Sequence, residues 1–396
     1  MPHIPTIQQA LREANLDGWL LYDFRATNPL ARRILGLDGT KPGSRRFFYL
    51  IPATGDPVKV VHAIEPAALD DLPGAKRVYM RWEDLEANVA RLVGDLGRPR
   101  LAMEYSPRNG NPYISRVDAG TIELVRDAGA EVVSSGNLIQ RFEAVWDDEQ
   151  WAMHQQSAAI CRDAYDVAFG LIADRVRAGG STTEVEVQRA ILDHFRAHGA
   201  VTYSPPTVAV GPHSGDPHHD TSPATDAPIR AGDFVLIDLW CRMDRPRAVY
   251  SDYTRVGFVG ATVPAVYEDL FGVVVRARDA GLDLVRAAFA AGRPLRGGEI
   301  DDATRAVIRA AGYEDRYTHR TGHNIGQEVH GNGAHLDNLE TRDDRLILPR
   351  TCFSIEPGIY LPEFGVRTEI DVYIDERGGV HVTGGDPQTR VLPILA

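Results

Sequence analysis

Asp238 and Asp252 are the residues of this 396-residue chain that first ask for a chemical explanation. Both sit inside apolar, β-rich runs, Val235-Leu-Ile-Asp-Leu-Trp-Cys241 and Val249-Tyr-Ser-Asp-Tyr-Thr-Arg255. A polar turn with Arg245-Pro246 separates the runs, which is how a hairpin reads in sequence. Each aspartate is seven residues from Arg245. A symmetrical register therefore places them opposite one another, with Cβ atoms about 5 Å apart. Like charges so placed weaken a ladder, and a buried carboxylate without a partner costs several kcal/mol or takes up a proton. Two aspartates within apolar strands call for a cation between them.

Three later stretches supply more of the same chemistry. Thr321-Gly-His-Asn-Ile-Gly-Gln-Glu-Val-His-Gly331 brings His323 and His330 in a glycine-rich setting. Phe353-Ser-Ile-Glu-Pro-Gly-Ile-Tyr360 ends a strand on Glu356. Gly365-Val-Arg-Thr-Glu-Ile-Asp-Val372 reads as a strand with Arg367, Glu369 and Asp371 on one face. Any one of them has a plain explanation: a core histidine, a strand-end glutamate, an alternating edge strand. Together they place four carboxylates and an imidazole beside β-segments, a donor set suited to a pair of Mn²⁺, Co²⁺ or Zn²⁺ ions.

These residues need rigid elements to hold them. Residues 1–146 alternate helices (7–15, 83–95, 116–128) with strands (18–22, 47–51, 58–62, 100–104, 131–134), which implies an α/β domain. No metal cluster or nucleophile motif stands out there, so its role reads as ancillary. Trp146-Asp-Asp-Glu-Gln150 marks the boundary, its aspartates capping a helix that runs to about residue 177. Gly179-Gly180 stops that helix, and Ser181-Thr-Thr-Glu184 reads as a capping box opening a second helix to residue 197. Beyond it lies a strand leading into a loop with His213, His218 and His219. Two more helices, about 263–291 and 298–311, follow the hairpin. Residues 147–396 thus form the second domain, of α+β character.

Composition excludes several classes. The net charge of −12 falls wholly after residue 146 and argues against nucleic acid, which selects a basic surface. Cys161, Cys241 and Cys352 are scattered, which points to a reducing compartment and excludes a cysteine zinc site. The N-terminal sequence has no basic-then-apolar signal pattern, and no apolar run approaches the roughly 20 residues of a membrane span. A cytoplasmic enzyme without a membrane partner is expected.

The motifs resemble the pita-bread metallopeptidase family of prolidase, aminopeptidase P and methionine aminopeptidase. That family's Asp, Asp, His, Glu, Glu ligand set falls, by motif, on Asp238, Asp252, His323, Glu356 and Glu369. The resemblance covers the whole second domain, and a first domain of this size is similar to that of prolidase, aminopeptidase P and creatinase. It implies a dinuclear metal site, hydrolysis of an Xaa-Pro bond, and a homodimer. Two such ions, about 3.5–4 Å apart, activate a shared water and polarise the scissile carbonyl. In this pattern Asp252 and Glu369 bridge, Glu356 also shuttles the proton, and His218 and His330 act on the substrate carbonyl, with His219 as alternative to His218. Arg367 supports Glu369 from the same strand.

The chain departs from the pattern in places. Leu239-Trp240 stands where the family often has glycine, the aspartates are fourteen positions apart, and Asn324 replaces a small residue. The arginine that prolidases place after the second motif histidine is missing, with Ala334-His335 there instead. A free substrate carboxylate then needs another cation: Arg320, His335, or Arg45-Arg46 of a neighbouring subunit. Dipeptides are the expected substrates. Aminopeptidase P action on longer peptides is the first alternative, and an inactive peptide-binding relative a distant one.

Overall fold

The computed structural model describes residues 4–37 and 43–396. They divide into two compact units, one ending at Glu143, the other spanning Ala144–Ala396. In the first, six strands pair in the order Ala75–Tyr79, Val58–His62, Phe47–Pro52, Gly18–Asp23, Arg100–Met103, Glu131–Ser134. Gly18–Asp23 is buried along its whole length, as a strand covered on both faces must be. Trp19 and Leu21 pack with Ile7, Leu11 and Ile139 on one side. Leu20 and Tyr22 pack with Val89, Leu92 and Val125 on the other. Strand Ala75–Tyr79 and helices Pro29–Ile34 and Gly136–Glu143 lie outside the sequence reading. Two are only six and eight residues long, and the exposed strand lacks a clean apolar alternation. Among the described residues, no helix is long and apolar enough to cross a membrane.

The second unit holds two larger sheets and two two-stranded ones. The central hairpin pairs Phe234–Met243 with Ser251–Phe258, and Thr207–Val210 and Ala200–Val201 pair with its first strand. Val235, Ile237, Leu239 and Cys241 pack against helices Asp148–Arg177 and Glu184–Ala197. Asp238 and Trp240 therefore point the other way. The second sheet runs Asn324–Ile325, Cys352–Ile355, Ile370–Ile374, Val380–Val382. Phe353, Ile355, Val372 and Ile374 pack with Leu282 and Val285 of helix Ala265–Ala290 and Ile300 of helix Gly297–Ala310. The helix at residue 148 opens as its aspartates imply: Asp147 accepts from the Gln150 N–H and Gln150 caps back in a capping box.

Three expectations are corrected. The hairpin register pairs Asp238 with Thr254 and Trp240 with Asp252, so the two aspartates are diagonal neighbours and not opposite one another. Ala248, Val249 and Tyr250 are buried, and Val249 and Tyr250 join a cluster with Trp146 and Ile325, so the returning chain leaves the ladder and rejoins it only at Ser251. A slip of two keeps both carboxylates on one face while widening their gap to about 7 Å, room enough for an ion. Next, residues 365–372 are not one strand. Gly365–Arg367 pairs with Gly358–Tyr360, whereas Ile370–Ile374 pairs with Cys352–Ile355. Glu369 sits in the break, its N–H 3.3 Å from Thr254 O. Finally, the second helix is capped by Thr183. Glu184, its first residue, turns inward.

Candidate metal centre

The two sheets bring the five expected residues together. His323 Nε2 lies 3.6 Å from Asp252 Oδ2 and 3.3 Å from Glu356 Oε1. Donor atoms of Asp252, His323 and Glu369 all fall within 4.8 Å of one another. Thr254, two residues from Asp252 on the same strand, donates to Glu369 Oε2 at 2.8 Å. Ser354 donates to Glu356 Oε1 at 3.1 Å and its Oγ accepts from the His323 N–H at 3.0 Å. Gly322 lets that approach happen, since a Cβ there would sit 2.0 Å from Ser354 O. Arg367 forms an ion pair with Asp238 and donates to Thr254 Oγ1 at 2.9 Å and Tyr360 Oη at 3.1 Å.

The charges fit a cation. Asp238 Oδ1, Asp252 Oδ1 and Glu369 Oε1 are buried with no hydrogen-bond partner. Buried polar atoms in proteins are as a rule hydrogen-bonded, so these three, with Asp371 Oδ1 beside them also without a partner, mark a place for an ion. Burial lifts Asp252 and Glu369 well above the usual carboxylate range, and their acidic neighbours lift them further. Burial also raises Asp238, against the pull of Arg367. Glu356 is pushed up to about 7 by burial, held back by Arg367 and Arg320. His323 is driven well below its ordinary value by burial and then by His330 and Arg320, which leaves it neutral, the form a metal ligand needs. An all-oxygen-and-imidazole donor set of this kind suits divalent Mn, Co or Zn.

The other expected residues divide into two groups. His330 opens to solvent with its ring edge-on to His323, centroids 4.3 Å apart, and burial with the Arg320 charge lowers it to about 4. His218 is exposed and close enough to Asp238 and His330 for its charge to act on both. Arg320 is buried, and its charge reaches His323, His330 and Glu356. The remaining three are engaged with the protein's own groups. Arg367 is engaged with Asp238, Thr254 and Tyr360. His335 is fully buried, its Nδ1 accepting from the Asn324 N–H at 3.1 Å. His219 is buried against Glu184. Arg45 and Arg46 belong to the first unit and are half-buried.

Several neighbours carry no functional role in the sequence reading. Asp371 Oδ2 accepts from the Asp252 N–H at 3.0 Å and so ties the second sheet to the hairpin. His319 shares a 2.7 Å hydrogen bond with Tyr360 Oη, behind Arg367. Tyr203 lies against Trp240 and meets Tyr250 edge-on, centroids 6.1 Å apart in both cases, an aromatic wall beside the aspartates. Trp240 was the visible signal, an indole two residues from a buried aspartate.

Comparison with known proteins agrees with this geometry. The model of metallopeptidase family M24 matches residues 152–376. The YkvY protein of Bacillus subtilis is 32% identical over 286 residues, covering 70% of this chain and 72% of its own. The crystal structure of dipeptidase PepE from Mycobacterium ulcerans superposes with a TM-score of 0.67 at 23% identity, covering 99% of this chain and 96% of that one. The Xaa-Pro dipeptidase of Bacillus anthracis gives 0.60 at 23% identity, with 98% of both chains covered. These neighbours carry the pita-bread fold, and residues 152–376, the matched span, include all five of the clustered residues: the chain belongs to metallopeptidase family M24.

Proposed function

We propose that this chain is a metal-dependent peptidase that cleaves the Xaa-Pro bond, with dipeptides as its preferred substrates. The observation that carries the reading is the cluster of Asp238, Asp252, His323, Glu356 and Glu369 with its three partnerless buried carboxylate oxygens. These five residues would hold two divalent cations, which supply a nucleophilic water at neutral pH and polarise a carbonyl. Glu356 has the environment to accept a proton on its carboxylate and return it to the departing imino nitrogen, since its own value is raised to about 7. The Ser354 hydroxyl holds that carboxylate in place. His218 and His330, open to solvent at the edge of the cluster, line the position for the substrate carbonyl oxygen. Arg320 is the cation that favours a free C-terminal carboxylate nearby.

The relatives named dipeptidase support the substrate class. Aminopeptidase P action is the competing outcome. The test compares Xaa-Pro, Xaa-Pro-Xaa and C-terminally amidated Xaa-Pro at equal concentration on protein loaded with Mn²⁺. Preference for the free dipeptide is expected, and equal cleavage of all three overturns the dipeptidase reading. A homodimer in a reducing, cytoplasmic setting completes the proposal. Exposed Ile64, Val78, Met80 and Trp82 of the first unit favour it, and light scattering on the eluted protein tests it.

A further inference from the structure

Glu184 and two histidines form a second cluster, outside the five-residue centre. Glu184 is wholly buried. Its Oε1 accepts from the Val210 N–H at 2.8 Å and its Oε2 from the Ala227 N–H at 3.2 Å. His213 Nδ1 stands 2.8 Å from Oε1 and His219 Nε2 3.4 Å from Oε2. The two rings stack with centroids 4.2 Å apart. His219 is only 8% exposed, yet its Nε2 has no hydrogen-bond partner. One nitrogen from each imidazole and one carboxylate oxygen lie within 4.8 Å of one another.

The surroundings hold these side chains in place. Ser214 Oγ donates to Gly211 O at 2.7 Å and accepts from the Gly365 N–H at 3.0 Å. A Cβ on Gly215 would meet Leu361 O at 2.3 Å, so only glycine passes there. The His219 carbonyl takes a bond from Thr207 at 3.3 Å, and Thr221 is clamped to both backbone groups of Val208. Both ends of the histidine loop are thereby fixed before any ligand arrives.

A hydrogen-bonded knot explains His213, whose 2.8 Å contact is an ordinary donation to a carboxylate. It leaves His219 unexplained, because a buried imidazole nitrogen without a partner is costly. Two imidazoles and one carboxylate converging on one point are a zinc-type donor set with a fourth position left for water. His213 is one-third exposed, which gives an ion and that water a way in.

We infer that Glu184, His213 and His219 bind a single divalent cation of the zinc class, separate from the five-residue centre. The ion clips together the two ends of the loop that carries His218, a cross-link added to a backbone that hydrogen bonds already hold. The inference stands whether or not the dinuclear reading does.

The test uses Zn²⁺ as the probe on full-length protein, with metal measured after desalting. In an Asp252→Asn/Glu369→Gln chain, folded by circular dichroism, one zinc per chain is expected to remain. Adding His219→Phe should remove it. Wild type compared with His213→Asn/His219→Phe gives a second measure that does not depend on the first variant folding: one fewer zinc per chain at saturation. Co²⁺ substitution adds a spectroscopic signature, visible bands of a four-coordinate site that vanish with His219→Phe. Equal zinc content with and without the two histidines overturns the inference, as does a folded Asp252→Asn/Glu369→Gln chain that retains none. A wild type that binds one ion, lost with His219→Phe, would instead overturn the dinuclear reading and leave this site standing.

Discussion

Stripping metal from this protein should destabilise it by an amount that grows as pH rises. Without cations, Asp238, Asp252, Glu356 and Glu369 share one region in which Arg367 is paired with Asp238. Glu356 rises from 4.5 to about 7, and Asp252 and Glu369 shift in the same direction. A carboxyl whose folded value is raised holds its proton better in the folded state. Its contribution is present in full below about 4.5 and lost as pH climbs through 7. For Glu356 alone that loss is about 3 kcal/mol, and the other two add to it. Bound cations reverse the trend, because ligands must be deprotonated to bind. At roughly 2–4 °C per kcal/mol for a domain of this size, the gap in Tm between loaded and stripped protein should widen by roughly 6–12 °C from pH 5 to pH 8. Resin-stripped protein, with and without added Mn²⁺, melted at pH 5, 6, 7 and 8 by calorimetry, checks it. A gap that stays constant or narrows as pH rises would refute the argument. Glu356→Gln should take away a large share of the widening.

Other outcomes follow from the same geometry. Asp252→Ala and Glu369→Ala should each lose metal and activity together, whereas His330→Ala should keep its metal while turnover falls about 10²–10³-fold; metal analysis beside kinetics separates the two. Arg320→Met should raise KM for a free Xaa-Pro dipeptide more than for its amide, and an equal rise for both would remove Arg320 from carboxylate recognition. Trp240→Ala should weaken discrimination among residues preceding proline, read as KM across a series of Xaa-Pro substrates, because it removes the support for Tyr203. His154 is buried and lowered to about 4, with Nδ1 donating to Tyr250 O at 2.8 Å. The stability it gives is full above its unfolded value near 6.5 and falls as pH drops toward 4. Between pH 7 and 4, the stability difference between wild type and His154→Phe, measured on stripped protein by urea titration, should therefore move by about 3 kcal/mol in favour of the variant.

How far the sequence could be read depended on whether the determinant was local. The capping of Asp147 and the polarity of Asp238 within an apolar run are written in neighbouring residues, so both could be seen at once. Resemblance then marked His323, Glu356 and Glu369, far along the chain. The hairpin register lies two residues from the symmetrical one because Ala248, Val249 and Tyr250 leave the ladder to be buried, a tertiary preference that alternation does not record. Residues 365–372 alternate as one strand would, but the break at Glu369 arises from a change of partner strand. Glu184 looked like a surface cap, since capping boxes and inward-facing glutamates share the same spacing. Its partners Val210, His213 and Ala227 are 26 to 43 residues away.

The bonds that join the hairpin to the second sheet bear on how the protein is made. Thr254 meets Glu369 across 115 residues and Asp252 meets Asp371 across 119. At about 5–20 residues per second, synthesis leaves the aspartate hairpin waiting roughly 6–24 s for its acidic partners to emerge from the ribosome. During that interval the nascent chain exposes half of a carboxylate cluster and has no complete cage, so any ion it meets is held loosely and exchanges freely. On the metal-centre reading, capture comes only after Glu369 and Asp371 have emerged, and the ion that stays is then chosen by a finished cavity rather than by whichever metal a half-built chain encountered first.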